Sequence, residues 1–120
     1  MIFAGLLMLS VQASAQVDKR EVRKGNRDFK KENYKEADID YRRALVKDSL
    51  SFAANYNLAS NLYKMNQGES GGSSITQAGE CLEKIAGMVE GSGYEADYFY
   101  NEGNVALAAK DYQKAVDAFK

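Results

Sequence analysis

Small and apolar residues recur at helical spacing along most of this chain, with charged residues between them. In YKEADIDYRRALVK, Ala37, Tyr41, Ala44 and Leu45 fall on one face at three-and-four spacing, which predicts a helix from Tyr34 to about Lys47. Asp18-Lys-Arg-Glu21 is a capping-box variant that can open an earlier helix, running to about Lys31. Glu32-Asn33 leaves room only for a tight turn, so the two helices should fold back as an antiparallel hairpin.

The same unit then recurs. AANYNLASNLYK (53–64) has the character of the first helix, with Ala59 standing 34 residues after Gly25. GNVALAAKDYQKAVDAF, from Gly103, parallels GNRDFKKENYKEADIDY, from Gly25, position for position in its spacing. Gly103 follows Ala59 by 44 residues; GESGGSS (68–74) and GSG (91–93) account for the excess over 34. Ser74-Ile-Thr-Gln77 is expected to cap the helix that resumes after the first of these insertions. Small residues at Gly25, Ala37 and Ala44 mark where two helix backbones approach closely, and the aromatic four residues after Ala37 fills the adjoining gap. The pattern predicts an all-α chain, an antiparallel helix-hairpin solenoid of about three units with the third incomplete.

Leu58-Ala59-x-x-Leu62, Ala37-x-x-x-Tyr41, Ala78-x-x-x-Leu82, Ala115-x-x-x-Phe119 and the turn aromatics Tyr34 and Tyr112, on a 34-residue period, resemble tetratricopeptide repeats over about residues 18–120. The repeats would run about 18–51, 52–92 and 93–120. The chain departs from the family pattern at Lys24 and Asp28, at Ser49 where a closing Pro is usual, and at Glu102; atypical terminal repeats are common in solenoids. VDKREVRKGNRDFKKENYKEADIDYRRALVKDS further resembles the opening of the tetratricopeptide proteins of bacterial aerotolerance operons, the Bat proteins of BatC/BatE type. That resemblance implies a place in the bacterial envelope, with von Willebrand factor A-domain proteins and a MoxR-type ATPase as associates.

Ahead of this region, IFAGLLMLSV (2–11) is apolar but for Ser10, and Ala13-Ser14-Ala15 offers small residues to a signal peptidase. Residues 1–15 are read as a signal peptide, with a mature start at Gln16 and a single domain over 16–120. The run is shorter than the roughly 20 apolar residues a bilayer span needs, and it lacks a basic leading segment. A periplasmic product in a Gram-negative envelope is the expected outcome.

Composition narrows the function classes. The 120 residues include no His, no Trp, no Pro and one Cys, so the usual zinc sites and His-based triads cannot be assembled. Cys81 lies on an apolar stripe with Ala78, Leu82 and Ile85 and reads as a buried hydrophobe. GESGGSS lacks the Lys-Ser/Thr of a phosphate loop and reads as a connector. Asp38 and Asp40, two apart on a helix, point to different faces and form no acid/base pair. Residues 18–48 carry 11 Lys/Arg against 8 Asp/Glu, and 49–120 carry 5 against 9, a polarity too mild for nucleic-acid binding. No enzymatic activity, cofactor or metal is expected.

Tetratricopeptide repeats place their first helices on a concave face. Counted from Gly25, Ala59 and Gly103, Arg23, Asn57 and Asn101 lie two before, and Asn26, Ser60 and Asn104 one after. Val22, Tyr56 and Tyr100 lie three before, and Phe29 and Tyr63 four after. On one helical strip these amides and rings suit an extended peptide, the amides pairing with its main chain and the rings covering its side chains. The family's carboxylate clamp is not expected, because Val22, Asp97 and Asn101 stand where it requires Lys or Arg. The alternative is a structural module that self-assembles by stacking, without a dedicated peptide ligand. The third unit stops at Lys120, before its second helix would finish, and the chain is expected to continue beyond it.

Overall fold

A computed structural model describes residues 19–67 and 73–120. The leader read over residues 1–15 and most of the GESGGSS connector lie outside the described residues.

The described chain is all-helical. Helix α1 covers residues 19–30, followed by α2 (Tyr34–Lys47), α3 (Phe52–Asn66), α4 (Ser73–Ile85), a 3-10 turn (Ala86–Met88), α5 (Glu95–Ala108) and α6 (Tyr112–Phe119). Helices α1 and α2 run antiparallel: Glu21 faces Lys47 at 3.3 Å, Lys24 faces Asp40 at 3.2 Å, and Asn26 faces Tyr41 at 2.6 Å. Helix α3 packs on α4 and α5 on α6, while α2 on α3 and α4 on α5 join successive pairs.

Small residues set the distance within each pair. Gly25 lies against the Tyr41 ring, so that a β-carbon there would stand 2.5 Å from Tyr41 Cε1. Gly103 lies against the Phe119 ring in the same way. Ala37, Ala59 and Ala78 are fully buried, and Ala115 nearly so. These contacts place the anchors of the 34-residue period at the closest approach of paired helices, as their size demands.

The turns repeat as well. Seven residues after Gly25, Glu32 adopts a left-handed conformation (φ 62°); seven after Gly103, Lys110 does the same (φ 63°). Asn33 N–H donates to Asp28 O and Asp111 N–H to Ala106 O, both at 2.9 Å, satisfying carbonyls that the ending helix leaves free. In the middle pair the equivalent residue, Asn66, is still helical, so α3 runs two residues further past its anchor than α1 and α5 do before the connector.

Two local expectations are corrected. Ser74 does not cap α4, because the helix is already formed at Ser73, whose Oγ accepts from Gln77 Nε2 at 3.3 Å. On α2 the face that buries Ala37, Tyr41 and Ala44 also buries Asp40, whereas Leu45 is only half-buried. The Lys24 ammonium, reaching from α1, makes that position tolerable for a carboxylate. Cys81 is a free thiol in the core, and burial raises its pKa above the usual thiol value.

Candidate interaction groove

Helices α1, α3 and α5, the first members of the three pairs, share a concavity of about 340 Å³. Phe29 contributes one wall, Tyr56, Ser60 and Tyr63 the floor along α3, and Tyr100, Asn101 and Asn104 the other wall. Helical spacing accounts for the grouping: Tyr56, Ser60 and Tyr63 are four and three apart on α3, and Tyr100 and Asn104 four apart on α5. Lys64 and Gln67 close one end, and neither was anticipated from the sequence. Lys64 lies one turn beyond Ser60, and Gln67 one turn beyond Tyr63, so extending the strip along α3 would have reached both.

Four of the expected residues stand apart from this lining. Val22 is 7% exposed and belongs to the core, so it presents no ligand surface. Arg23 is exposed on α1 outside the concavity. Asn26 and Asn57 bond to each other, Asn57 Nδ2 donating to Asn26 Oδ1 at 3.2 Å, and that same oxygen accepts the Tyr41 hydroxyl at 2.6 Å.

Asn101, although it lines the groove, is 7% exposed and donates through Nδ2 to Ser60 Oγ at 3.0 Å. Between the first and second pairs, and again between the second and third, a donor two residues before one anchor thus meets an acceptor one residue after the preceding anchor. Of the amides expected to grip a peptide main chain, Asn26, Asn57 and Asn101 are engaged in joining neighbouring pairs. The groups that remain to meet a ligand are the half-buried Asn104 amide, the exposed Gln67 amide, the Lys64 ammonium and the Tyr100 ring, which is 66% exposed.

The groove is held in shape by its aromatics. Tyr56 stacks on Phe52 with ring centroids 6.1 Å apart, and Phe52 stacks in turn on Tyr94 at 5.8 Å. Tyr56 donates its hydroxyl to Asp97 O at 3.2 Å, and burial, followed by the Asp97 charge, raises its pKa. Tyr56 is therefore a neutral donor tying α3 to α5 across the floor. Among the described residues, Lys64 is the sole charged one in the lining. Chemically the concavity offers aromatic cover, free amides and one cation, a set that suits a peptide segment with apolar and acidic side chains.

Among the described residues no group of three or more His, Cys, Asp or Glu is placed to hold a metal ion. No described helix is long and apolar enough to cross a membrane. No protein-family model, curated protein or solved structure matches the chain. Over the described residues, fold and groove define an all-α chain of three packed helix pairs with a shared concavity on their first helices.

Proposed function

We propose that the chain is a non-enzymatic scaffold of tetratricopeptide type, exported to the periplasm, that holds partner proteins through the groove on α1, α3 and α5. The observation that carries this reading is the concavity itself: seven of its lining residues, from Phe29 to Asn104, stand at matching places around Gly25, Ala59 and Gly103. The repeated small-to-aromatic contacts, Gly25 on Tyr41 and Gly103 on Phe119, support assigning the pairs to that repeat class. The apolar leader at residues 2–11 supports export, and the likeness of residues 17–49 to aerotolerance-operon proteins supports von Willebrand factor A-domain envelope proteins as partners.

The test is capture from the native envelope by the wild-type protein and by a Tyr100→Ala/Lys64→Ala variant, read by quantitative mass spectrometry. Both side chains project from the groove lining with little role in the core. Loss of von Willebrand factor A-domain proteins from the variant's captured set is the expected result. Equal capture by both proteins would remove the groove from the mechanism.

A further inference from the structure

A second groove lies between α4, α5 and α6. Helices α2 and α4 are closed on each other by Arg42, which donates through Nη2 to Gln77 Oε1 at 2.6 Å. Arg42 stands five residues after Ala37, and Gln77 one before Ala78. The same register on the next two second helices selects Glu83, five after Ala78, and Lys114, one before Ala115. These two opposite charges form no ion pair; both line an open cavity of about 410 Å³ between α4, α5 and α6. The contact that seals one junction is open at the other.

The floor of this groove is apolar, with Ile75 and Leu82 from α4 and Val105 and Ala106 from α5. Its depth comes from absent side chains. Gly79, in the middle of α4, lines the cavity, and a β-carbon built there would meet nothing within 4 Å. Among the described residues its charges are unbalanced: Glu83, Glu102 and Asp111 contribute three carboxylates against the Lys114 ammonium. Phe99, which also lines it, is 43% exposed. An apolar trough with carboxylates on its rim is complementary to a helix whose apolar stripe is flanked by cations.

We propose that this groove receives a basic amphipathic helix of a partner protein, its aliphatic side chains entering over Gly79 and its Lys or Arg side chains meeting Glu83, Glu102 and Asp111. The site is separate from the concavity on α1, α3 and α5, and occupation of one leaves the other open.

The probe is a synthetic, fluorescently labelled Leu/Lys amphipathic helix about four turns long, compared with a Leu/Glu peptide of identical apolar face. Anisotropy titration of the whole chain should give saturable binding of the Leu/Lys peptide that weakens as salt is raised, and none of the Leu/Glu peptide. Gly79→Leu puts a side chain into the trough, its β-carbon free of contacts, and should weaken binding about tenfold or more, and Glu83→Lys/Glu102→Lys comparably. Circular dichroism checks that both variants keep their helices. Equal affinity for the two peptides, or undiminished binding by folded Gly79→Leu, overturns the proposal. So does self-association of the wild-type chain that Gly79→Leu abolishes, because the occupant would then be a second copy.

Discussion

Gly25 and Tyr41 meet so closely that a single methyl group on Gly25 would lie 2.5 Å from the edge of the tyrosine ring. Tyr41 is 1% exposed and has nowhere to move. Gly25→Ala is therefore expected to destabilise the fold by about 1–3 kcal/mol despite the better helix propensity of alanine. Gly103→Ala creates the same conflict with Phe119, but that ring is 47% exposed and can swing outward, so the cost should be clearly smaller. Urea titrations of the two variants compare these values directly; a Gly103→Ala cost equal to that of Gly25→Ala would contradict the explanation.

Gly79 offers the opposite case. It sits inside α4 with open space where a side chain would go. Gly79→Ala should stabilise the protein by about 0.5–1 kcal/mol through helix propensity alone. A thermal melt showing a lower midpoint than the wild type would mean that the groove closes over this glycine in solution.

Asp40 should make stability depend on pH. Burial, then its neighbour Asp28, raises its pKa above the ordinary 3.8, against the opposing pull of Lys24. A carboxyl whose folded pKa exceeds its unfolded value holds its proton more tightly in the native state. Its contribution is thus most favourable below the unfolded pKa and is lost as pH rises through the folded value. Asp40→Asn removes this dependence, and the amide that replaces the unpartnered Oδ2 supplies a donor. The variant should melt higher than the wild type at pH 7, with the difference shrinking toward pH 3. A difference independent of pH would exclude Asp40 titration as its origin.

The amide contacts between pairs should register as stability. Asn57→Ala removes the donor to Asn26 Oδ1, and Asn101→Ala the donor to Ser60 Oγ. Each is expected to cost about 0.5–1.5 kcal/mol of unfolding free energy. Chemical denaturation of the single variants checks this; wild-type stability in both would return these amides to the role of ligand contacts.

Much of this arrangement was legible in the sequence because it is periodic. The bounds of α2, Tyr34–Lys47, follow from one stripe of small and aromatic residues. The groove aromatics Tyr56, Tyr63 and Tyr100 follow from their distance to the anchors. What periodicity does not encode is how far apart successive pairs sit. At that separation Asn57 and Asn101 span the gap to a neighbouring helix, so an amide on the right strip meets protein. Asp40 was hidden for a related reason: a charged residue on α2 reads as solvated until Lys24, sixteen residues away, is brought against it. Gln67 lay beyond the strip because the first and third pairs turn seven residues after their anchors, whereas α3 continues to Asn66.

Asn26 Oδ1 accepts both Tyr41 from its own pair and Asn57 from the next. One oxygen thus takes part in the internal closure of a unit and in its boundary with the following one. In a linear array whose stability is the sum of unit and nearest-neighbour terms, such sharing moves free energy from the first kind of term to the second. Fraying of α1 would then loosen the start of the middle pair as well. Amide protons of α3 near Asn57 should exchange by the same opening event as those of α2 near Tyr41, so that the array unzips in steps larger than one hairpin.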